Sequence, residues 1–246
     1  MRPRALVARS GARSVLEGAP ALRIEVVERV SHAIEMVEAA MPARGVPGEI
    51  AIFTSQVAVG LGLAGRNGER LRPLLASARI VAVGPATAAA LRAAGFEPGL
   101  EAGGSAEAAL AVLPARLEGV RVVLPCGEDA PPALGDALRA RGADVTRCVV
   151  YRKVARPPDP DLAAELVERP FAAFCPTSPS AARWLFDTAG PAGAERLRGT
   201  PAAVLGPSTR AFLAERGVAR IAVAGDARFA SLLGLLETLA THGAGQ

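Results

Sequence analysis

The sequence predicts an α/β protein built from two domains, each a parallel sheet covered by helices on both faces. Three observations predict this class. Half of the 246 residues are hydrophobic and 21% are charged, a composition typical of globular chains. Short apolar runs that suit strands alternate with segments that suit helices, as in parallel sheets. One phrase occurs twice, as VAVGPAT and AVLGPST: an apolar run, Gly-Pro, a small residue and Thr.

The first copy of this theme occupies the middle of the chain. We expect strands at residues 50–55, 78–84 and 121–125, because each is a short apolar run bounded by turn residues. A helix or turn should follow the first strand. Helices should follow the second and third strands and end at Gly95 and Gly142, since glycine is common just after a helix.

The second copy lies in the last third of the chain and keeps nearly the same register. FAAFCPTSPSAARWLF, residues 171–186, matches IAIFTSQVAVGLGL as a strand that ends in Thr-Ser before a helix. Ser55 and Gly84 are 29 positions apart, and Ser178 and Gly206 are 28 apart. A strand in ARIAVAG and an amphipathic helix in FASLLGLLETLA complete the copy.

The N-terminal segment predicts how the two copies are assembled. The second copy lacks a counterpart of the last strand–helix–strand unit of the first, and RALVARS near the N-terminus is a strand that can supply it. We therefore predict a discontinuous domain of residues 1–33 and 155–246 around a continuous domain of residues 34–154. Two extended runs, residues 22–34 and 145–154, are placed to cross between the domains.

Candidate binding residues occur at the predicted carboxyl ends of the strands, where helix N-termini present unpaired N–H groups to ligands. Ser and Thr before a helix are also common N-caps, and for any single residue we favour capping over ligand contact. Two facing sets, one from each domain, favour a ligand cleft. The candidate substrate-binding residues are Arg9, Thr54, Ser55, Gly84, Thr87, Cys126, Gly127, Thr177, Ser178, Gly206, Ser208 and Thr209.

Several other classes of function are disfavoured. The three cysteines have no C-x-x-C spacing and the two histidines have no metal-ligand spacing, so we expect reduced thiols and no metal. The G-x-G-x-x-G at residues 60–65 falls inside a predicted helix, so we expect no dinucleotide cofactor. We find no signal-peptide pattern or membrane-length apolar run and expect a cytoplasmic protein. The net charge of +4 comes from dispersed arginines, which support a nucleic-acid partner only weakly and equally suit a small polyanion.

Tyr151 is the only tyrosine of the chain and ends the extended run CVVYRKV at a predicted crossing between domains. There its phenol can point into the cleft. The pattern alone favours a simpler interpretation, an aromatic ring that packs at the hinge.

Five segments, in order, resemble the uroporphyrinogen-III synthase family. They are FTSQVAV, VAVGPATAAALRAAGFEP, VVLPCGEDAPPALGDALRARGADVTRCVVYR, FCPTSPSAARWLF and AAVLGPSTRAFLAERGV, and they cover roughly residues 50–220. Each segment alone is a weak signal, because small residues are common in α/β turns. Their order and spacing make the set a fairly specific signature.

The resemblance implies a fold and an activity. The family has two flavodoxin-like domains joined by a two-stranded β ladder, with the substrate in the cleft between them. Its members are cofactor-free lyases that cyclise hydroxymethylbilane to uroporphyrinogen III, with inversion of the last pyrrole ring and loss of water. They hold the carboxylates of the substrate largely through backbone N–H groups and hydroxyls. We therefore expect a polycarboxylate substrate, no nucleic-acid or membrane partner, and a monomer.

The resemblance also implies a mechanism. Loss of the terminal hydroxyl gives an azafulvene, which the substituted position of the last ring attacks to give a spiro intermediate. Fragmentation and reclosure follow. Tyr151 matches the family tyrosine that assists departure of the hydroxyl as a general acid, so the resemblance makes it the catalytic residue.

Two departures from the family pattern keep alternatives open. The segment SGARSVLEGAPA after Arg9 is too short for the usual first helix, which we expect to be shortened or absent. The turn Cys175-Pro176-Thr177-Ser178 carries an apparent extra residue before the second Thr-Ser. The alternatives are a non-catalytic two-domain protein that binds a small ligand or regulates, and a degenerate synthase-like regulator.

Overall fold

The computed structural model describes residues 2–11, 14–42, 45–46, 48–226 and 228–242. The contacts divide the chain into two compact units. Unit 1 comprises Met1–Ile34 and Val154–Gln246, and unit 2 comprises Glu35–Lys153. Both units are α/β structures with parallel strand pairing, so the predicted fold class is confirmed at this level.

The strands and helices alternate along most of the chain. The strands are β1 (Arg4–Ser10), β2 (Glu25–Met36), β3 (Ile50–Phe53), β4 (Arg79–Ala82), β5 (Leu100–Glu101), β6 (Arg121–Gly127), β7 (Asp144–Ala155), β8 (Ala173–Pro176), β9 (Ala202–Val204) and β10 (Ile221–Val223). The helices are α1 (Gln56–Gly62), α2 (Gly65–Leu75), α3 (Pro85–Ala93), α4 (Ala106–Ala111), α5 (Ala133–Ala140), α6 (Pro160–Glu168), α7 (Pro179–Gly199), α8 (Pro207–Glu215) and α9 (Phe229–His242).

In unit 1 the strands lie in the order β10-β9-β8-β1-β2, and the neighbours pair in parallel. The predicted N-terminal strand does complete the sheet of the second copy, because β1 pairs with β8. Ala5 and Val7 pack on the face that carries α9, while Leu6 and Ala8 pack on the face that carries α6, α7 and α8. Burial on both faces explains why β1 contains a continuous apolar run instead of an alternating one.

In unit 2 the strands lie in the order β7-β6-β3-β4-β5, again with parallel pairing. Ile52, Val81 and Leu124 belong to a core that includes residues of α4 and α5. Helix α1 lies against Pro125 and Val150, at Gly62. Strand side chains alternate between faces, so Pro125 points away from the face of Leu124, and unit 2 has helices on both faces.

The predicted helix ends at Gly95 and Gly142 are confirmed. Pro85 and Pro207 occupy the first turn of α3 and α8. Gly95 and Gly142 follow α3 and α5 with φ of +87° and +91°, a left-handed conformation that glycine adopts without steric cost. Helix α2 is not predicted by the sequence pattern, because Gly68 and Pro73 lie inside the helix and mask its periodicity.

The connection between β1 and β2 is short. We expected this, because the segment after Arg9 is too short for the first helix that is usual in the family. Its described residues, 11 and 14–24, form bends and a turn at 15–18 and contain no helix. Residues 12 and 13 of the segment lie outside the described residues. Strand β2 begins at Glu25, later than Leu22, and extends to Met36.

Unit 2 contains a buried ion pair whose loss we predict to be costly. Glu49 is fully buried at 0% exposure and its Oε1 accepts from Arg121 Nε at 2.5 Å. Among the described residues, Arg121→Met leaves the buried Glu49 carboxylate with no cation and only the N–H of Val46 at 3.3 Å, so we expect the free energy of unfolding to fall by about 3 kcal/mol. Urea unfolding followed by far-UV circular dichroism measures this change in unit 2. Tryptophan fluorescence would not, because the only tryptophan, Trp184, lies in unit 1 and reports that unit.

The matched control is the double variant Arg121→Met/Glu49→Leu, which removes both charges and should recover most of the loss. A single variant that unfolds within about 1 kcal/mol of the parent protein would contradict a structural role for this pair.

Candidate functional site

The first strand of each copy ends in a Thr-Ser that starts a helix. Ser55 Oγ accepts from the N–H of Ala58 at 3.1 Å, and Ser178 Oγ accepts from the N–H of Ala181 at 3.2 Å. The predicted capping role is therefore confirmed for both serines. Strands β3 and β8 are both four residues long, and Thr-Ser follows each directly. Pro176 is thus the last strand residue, and the turn of the second copy contains no extra residue, contrary to our expectation.

The second strand of each copy ends in Gly-Pro. Gly84 and Gly206 are the N-caps of α3 and α8, with extended backbone and no side-chain capping bond. Thr54 and Ser208 are exposed, and Thr177 is half-buried. Thr87 and Thr209 are buried, at 4% and 3% exposure.

Tyr151 lies on β7 beside the end of β6. A bulge between Cys126 and Gly127 brings Gly127 opposite Tyr151, and the N–H of Glu128 donates to the carbonyl of Tyr151 at 2.9 Å. The tyrosine ring covers Gly127, because a Cβ added there would lie 2.6 Å from Cζ and 2.9 Å from the phenol oxygen. The absence of a side chain at Gly127 therefore leaves room for the ring of Tyr151, which is 8% exposed.

A cavity of about 250 Å³ opens at the carboxyl end of the strands of unit 2. Here the strand order reverses between β6 and β3, and such switch points are where open α/β sheets bind ligands. The structure brings two predicted residues, Thr54 and Cys126, together in its lining. The apolar residues Val83, Leu124 and Leu134 also line it.

Arg147 of β7 lines the same cavity and was missed from the sequence. The signal that could have revealed it is a charge inside the β-branched run VTRCVV. Its Nη2 donates to the carbonyl of Ala130 at 2.8 Å. A guanidinium at a cavity wall gives this end of unit 2 a donor that suits an anion.

The corresponding switch point of unit 1 lies between β1 and β8. The N–H of Thr177 donates to the carbonyl of Ala8 at 2.9 Å, which joins the ends of the two strands. Arg9 is 7% exposed, and its guanidinium contacts Glu28 Oε2 at 3.3 Å and the carbonyl of Gly11. The contacts with Glu28 and Gly11 thus hold the Arg9 side chain inside the protein. The adjacent Ser10 Oγ is a buried hydroxyl with no hydrogen-bond partner among the described residues.

The three cysteines are free and buried. Burial raises the pKa of the Cys148 thiol to about 12, and it also raises the pKa of Cys175. Neither thiol is a nucleophile at neutral pH, since the thiolate is the reactive form. Cys126 contributes a small apolar wall to the cavity.

The described residues contain neither a metal cluster nor a membrane-spanning helix. Within the described ranges, no group of three or more His, Cys, Asp or Glu side chains is arranged to hold a metal ion. None of the helices in the same ranges is long and apolar enough to cross a membrane.

The fold and these residues define an α/β protein with parallel sheets and polar groups gathered at the strand ends. The family described as uroporphyrinogen-III synthase HemD matches residues 5–234. The chain therefore belongs to the uroporphyrinogen-III synthase family. A comparison with curated proteins finds no match.

Two solved structures resemble the chain over nearly its whole length. The first is a mutant uroporphyrinogen III synthase from the extremely thermophilic bacterium Thermus thermophilus, 24% identical, covering 98% of this chain and 99% of that chain with a TM-score of 0.63. The second is the uroporphyrinogen-III synthetase from Helicobacter pylori, 18% identical, covering 97% and 100% with a TM-score of 0.69. At these identities the likeness shows a shared fold.

The contact between Gly127 and Tyr151 yields a prediction. Gly127→Ala places a methyl group within the tyrosine ring, so the ring must move, at a cost of about 1–3 kcal/mol in stability. Tyr151 is the only tyrosine, so 3-fluorotyrosine gives a single fluorine resonance for the native chain. We expect Gly127→Ala to shift that resonance.

The control is Gly60→Ala in α1, where an added Cβ meets nothing within 4 Å. It should leave the fluorine resonance unchanged. An unchanged resonance in Gly127→Ala would show that the ring does not depend on this glycine.

Proposed function

We propose that the chain is an active uroporphyrinogen-III synthase. It cyclises hydroxymethylbilane to uroporphyrinogen III, inverts the terminal pyrrole ring and releases water, in the biosynthesis of tetrapyrroles such as heme. The observation that carries this proposal is the family match over residues 5–234. The same match favours a synthase over the non-catalytic binding or regulatory protein.

The domain organisation is part of the proposal. In unit 1 the order β2-β1-β8-β9-β10, renumbered along the chain, is 2-1-3-4-5, which is the flavodoxin-like order. In unit 2 the order β7-β6-β3-β4-β5 gives the same numbers when β6 is counted as the first strand. Unit 2 has it in permuted form, since β6 and β7 take the places of the first two strands. This supports two flavodoxin-like domains, residues 1–33 with 155–246 and residues 34–154. The strands β2 and β7, in which the chain passes from one unit to the other, would form the connecting ladder, with the substrate cleft between the domains.

The substrate is a flexible polycarboxylate, and the proposed binding groups suit it. Helix starts at Ser55, Gly84, Ser178 and Gly206 present backbone N–H groups, which attract carboxylates. Hydroxyls of Thr54, Thr87, Thr177, Ser208 and Thr209 add donors beside them. Arg9 is assigned a supporting role through its contact with Gly11 and Glu28. Much of the catalysis then lies in folding the bilane so that ring closure follows inversion.

Tyr151 is proposed as the general acid. Its phenol donates a proton to the departing hydroxyl, which leaves as water and forms the azafulvene. The substituted position of the last ring attacks the azafulvene carbon to form the spiro intermediate, which fragments and recloses. The placement of the tyrosine ring over Gly127, beside the end of β6, supports this role because it fixes the ring at a strand end.

No cofactor is needed, and we propose that the enzyme is a cytoplasmic monomer classed as a lyase.

The test is to incubate the full chain with enzymatically generated hydroxymethylbilane and to resolve the type I and type III isomers of the product. We expect isomer III to dominate, because unassisted closure does not invert the last ring. A product no richer in isomer III than the spontaneous mixture would end the proposal.

The same assay examines Tyr151→Phe, which keeps the aromatic ring and removes the hydroxyl that is the proposed proton donor. We expect the turnover rate to fall about 10²- to 10⁴-fold, with isomer III still formed, because the bilane is intrinsically reactive. The Gly60→Ala variant serves as the matched control and should keep the parent rate. A Tyr151→Phe enzyme with the parent rate would remove Tyr151 from the mechanism.

A further inference from the structure

Arg147 is a half-buried cation at the wall of the cavity in unit 2. Within the described part of the chain its guanidinium has one hydrogen bond, to the carbonyl of Ala130, and no carboxylate partner. Basic residues nearby do have carboxylate partners: Arg139 pairs with Asp136, and Lys153 pairs with Asp129. Because a guanidinium carries five N–H donors, Arg147 retains donors for a ligand.

The cavity has the chemistry of an alkyl carboxylate site. Val83, Leu124 and Leu134 supply an apolar wall, and Thr54, which carries a hydroxyl, lines the same cavity as Arg147. Methylene groups can pack on the apolar wall while the carboxylate accepts from Arg147, and charge-assisted bonds of this kind are the strong ones. The cavity of about 250 Å³ is smaller than the roughly 300–1,000 Å³ of pockets that enclose a drug-sized ligand. It therefore suits one acid-bearing ring of a larger molecule.

We propose that Arg147, with the hydroxyl of Thr54, binds the carboxylate of an acetate or propionate arm on one pyrrole ring of the substrate. This proposal rests on the proposed function and names a residue that selects for acid side chains. Arg147 and Tyr151 are four residues apart on β7, about 13 Å along the strand. A tetrapyrrole is long enough to contact Arg147 with one ring while another ring reacts at Tyr151.

The first test compares Arg147→Gln with Arg139→Gln in the cyclisation assay. Both variants lose one positive charge and one bond to a backbone carbonyl, and Arg139→Gln also loses the exposed ion pair with Asp136, but only Arg147 lines the cavity. We expect Arg147→Gln to raise KM about 10- to 100-fold with kcat changed less than about threefold, as for lost substrate binding. Arg147→Lys, which keeps the charge and loses the planar fork, should raise KM by an intermediate factor. A KM for Arg147→Gln equal to that of Arg139→Gln would overturn the proposal.

The second test does not depend on catalysis. The full chain, labelled with ¹⁵N on arginine, is titrated with a pyrrole that carries one acetate and one propionate arm, and with the dimethyl ester of the same pyrrole. We expect the Nε–H resonance of Arg147 to shift with the diacid and not with the ester. Equal shifts with both compounds, or no shift with either, would overturn the carboxylate site even if Arg147→Gln failed to fold.

The two tests separate this proposal from the function on which it rests. A chain that yields no excess of isomer III but shows the diacid-specific shift keeps a carboxylate site at Arg147 and loses the synthase activity. A chain that yields isomer III without that shift keeps the activity and loses this site.

Discussion

The parallel pairing of β1 with β8 is the contact on which the layout of unit 1 depends. Leu6 lies opposite Phe174 and Val7 opposite Cys175, and residues 5–8 of β1 are at most 1% exposed. The first strand of the chain is therefore central in a sheet whose other strands, except β2, come after residue 170. The chain must leave unit 1 after β1 and return to it, and it does so within β2 and β7. The entropic cost of the long intervening segment is modest, because loop closure depends only on the logarithm of loop length.

Central placement of β1 also determines where polar groups collect. In a parallel sheet all carboxyl ends lie at one edge, so the end of β1 meets the end of β8, and in unit 2 the end of β6 meets that of β3. Ser10 and Thr177 lie at the first switch point, and Thr54 and Cys126 at the second. Each unit thus presents hydroxyls and helix starts at its switch point. Under the proposed function, these groups would meet the carboxylates of the substrate.

The sequence predicted those features that are determined locally. The caps at Ser55 and Ser178, the prolines at the starts of α3 and α8 and the glycines after α3 and α5 depend on neighbouring residues, and the structure confirms them. The pairing of β1 with β8 was also predictable, because the second copy of the repeat lacked a strand. The family likeness was recognised from motif order, which the match over residues 5–234 confirms.

The features that the sequence did not reveal depend on contacts across strands. The fit of the Tyr151 ring over Gly127 requires a bulge in β6 that no periodicity indicates. Arg147 reaches the cavity because it lies opposite Leu124 on the neighbouring strand, a register that cannot be read from either segment alone. Helix α6 lies outside both copies of the repeat and was not predicted, although Asp159 caps it directly before Pro160.

The central claim is that the strand ends of both units bind one substrate molecule. Hydrogen exchange, measured amide by amide with and without uroporphyrinogen III under anaerobic conditions, tests it most directly. The account predicts slower exchange on binding at the helix starts of unit 2, near Ser55 and Gly84, and at those of unit 1, near Ser178 and Gly206. Slower exchange confined to a single unit would contradict it.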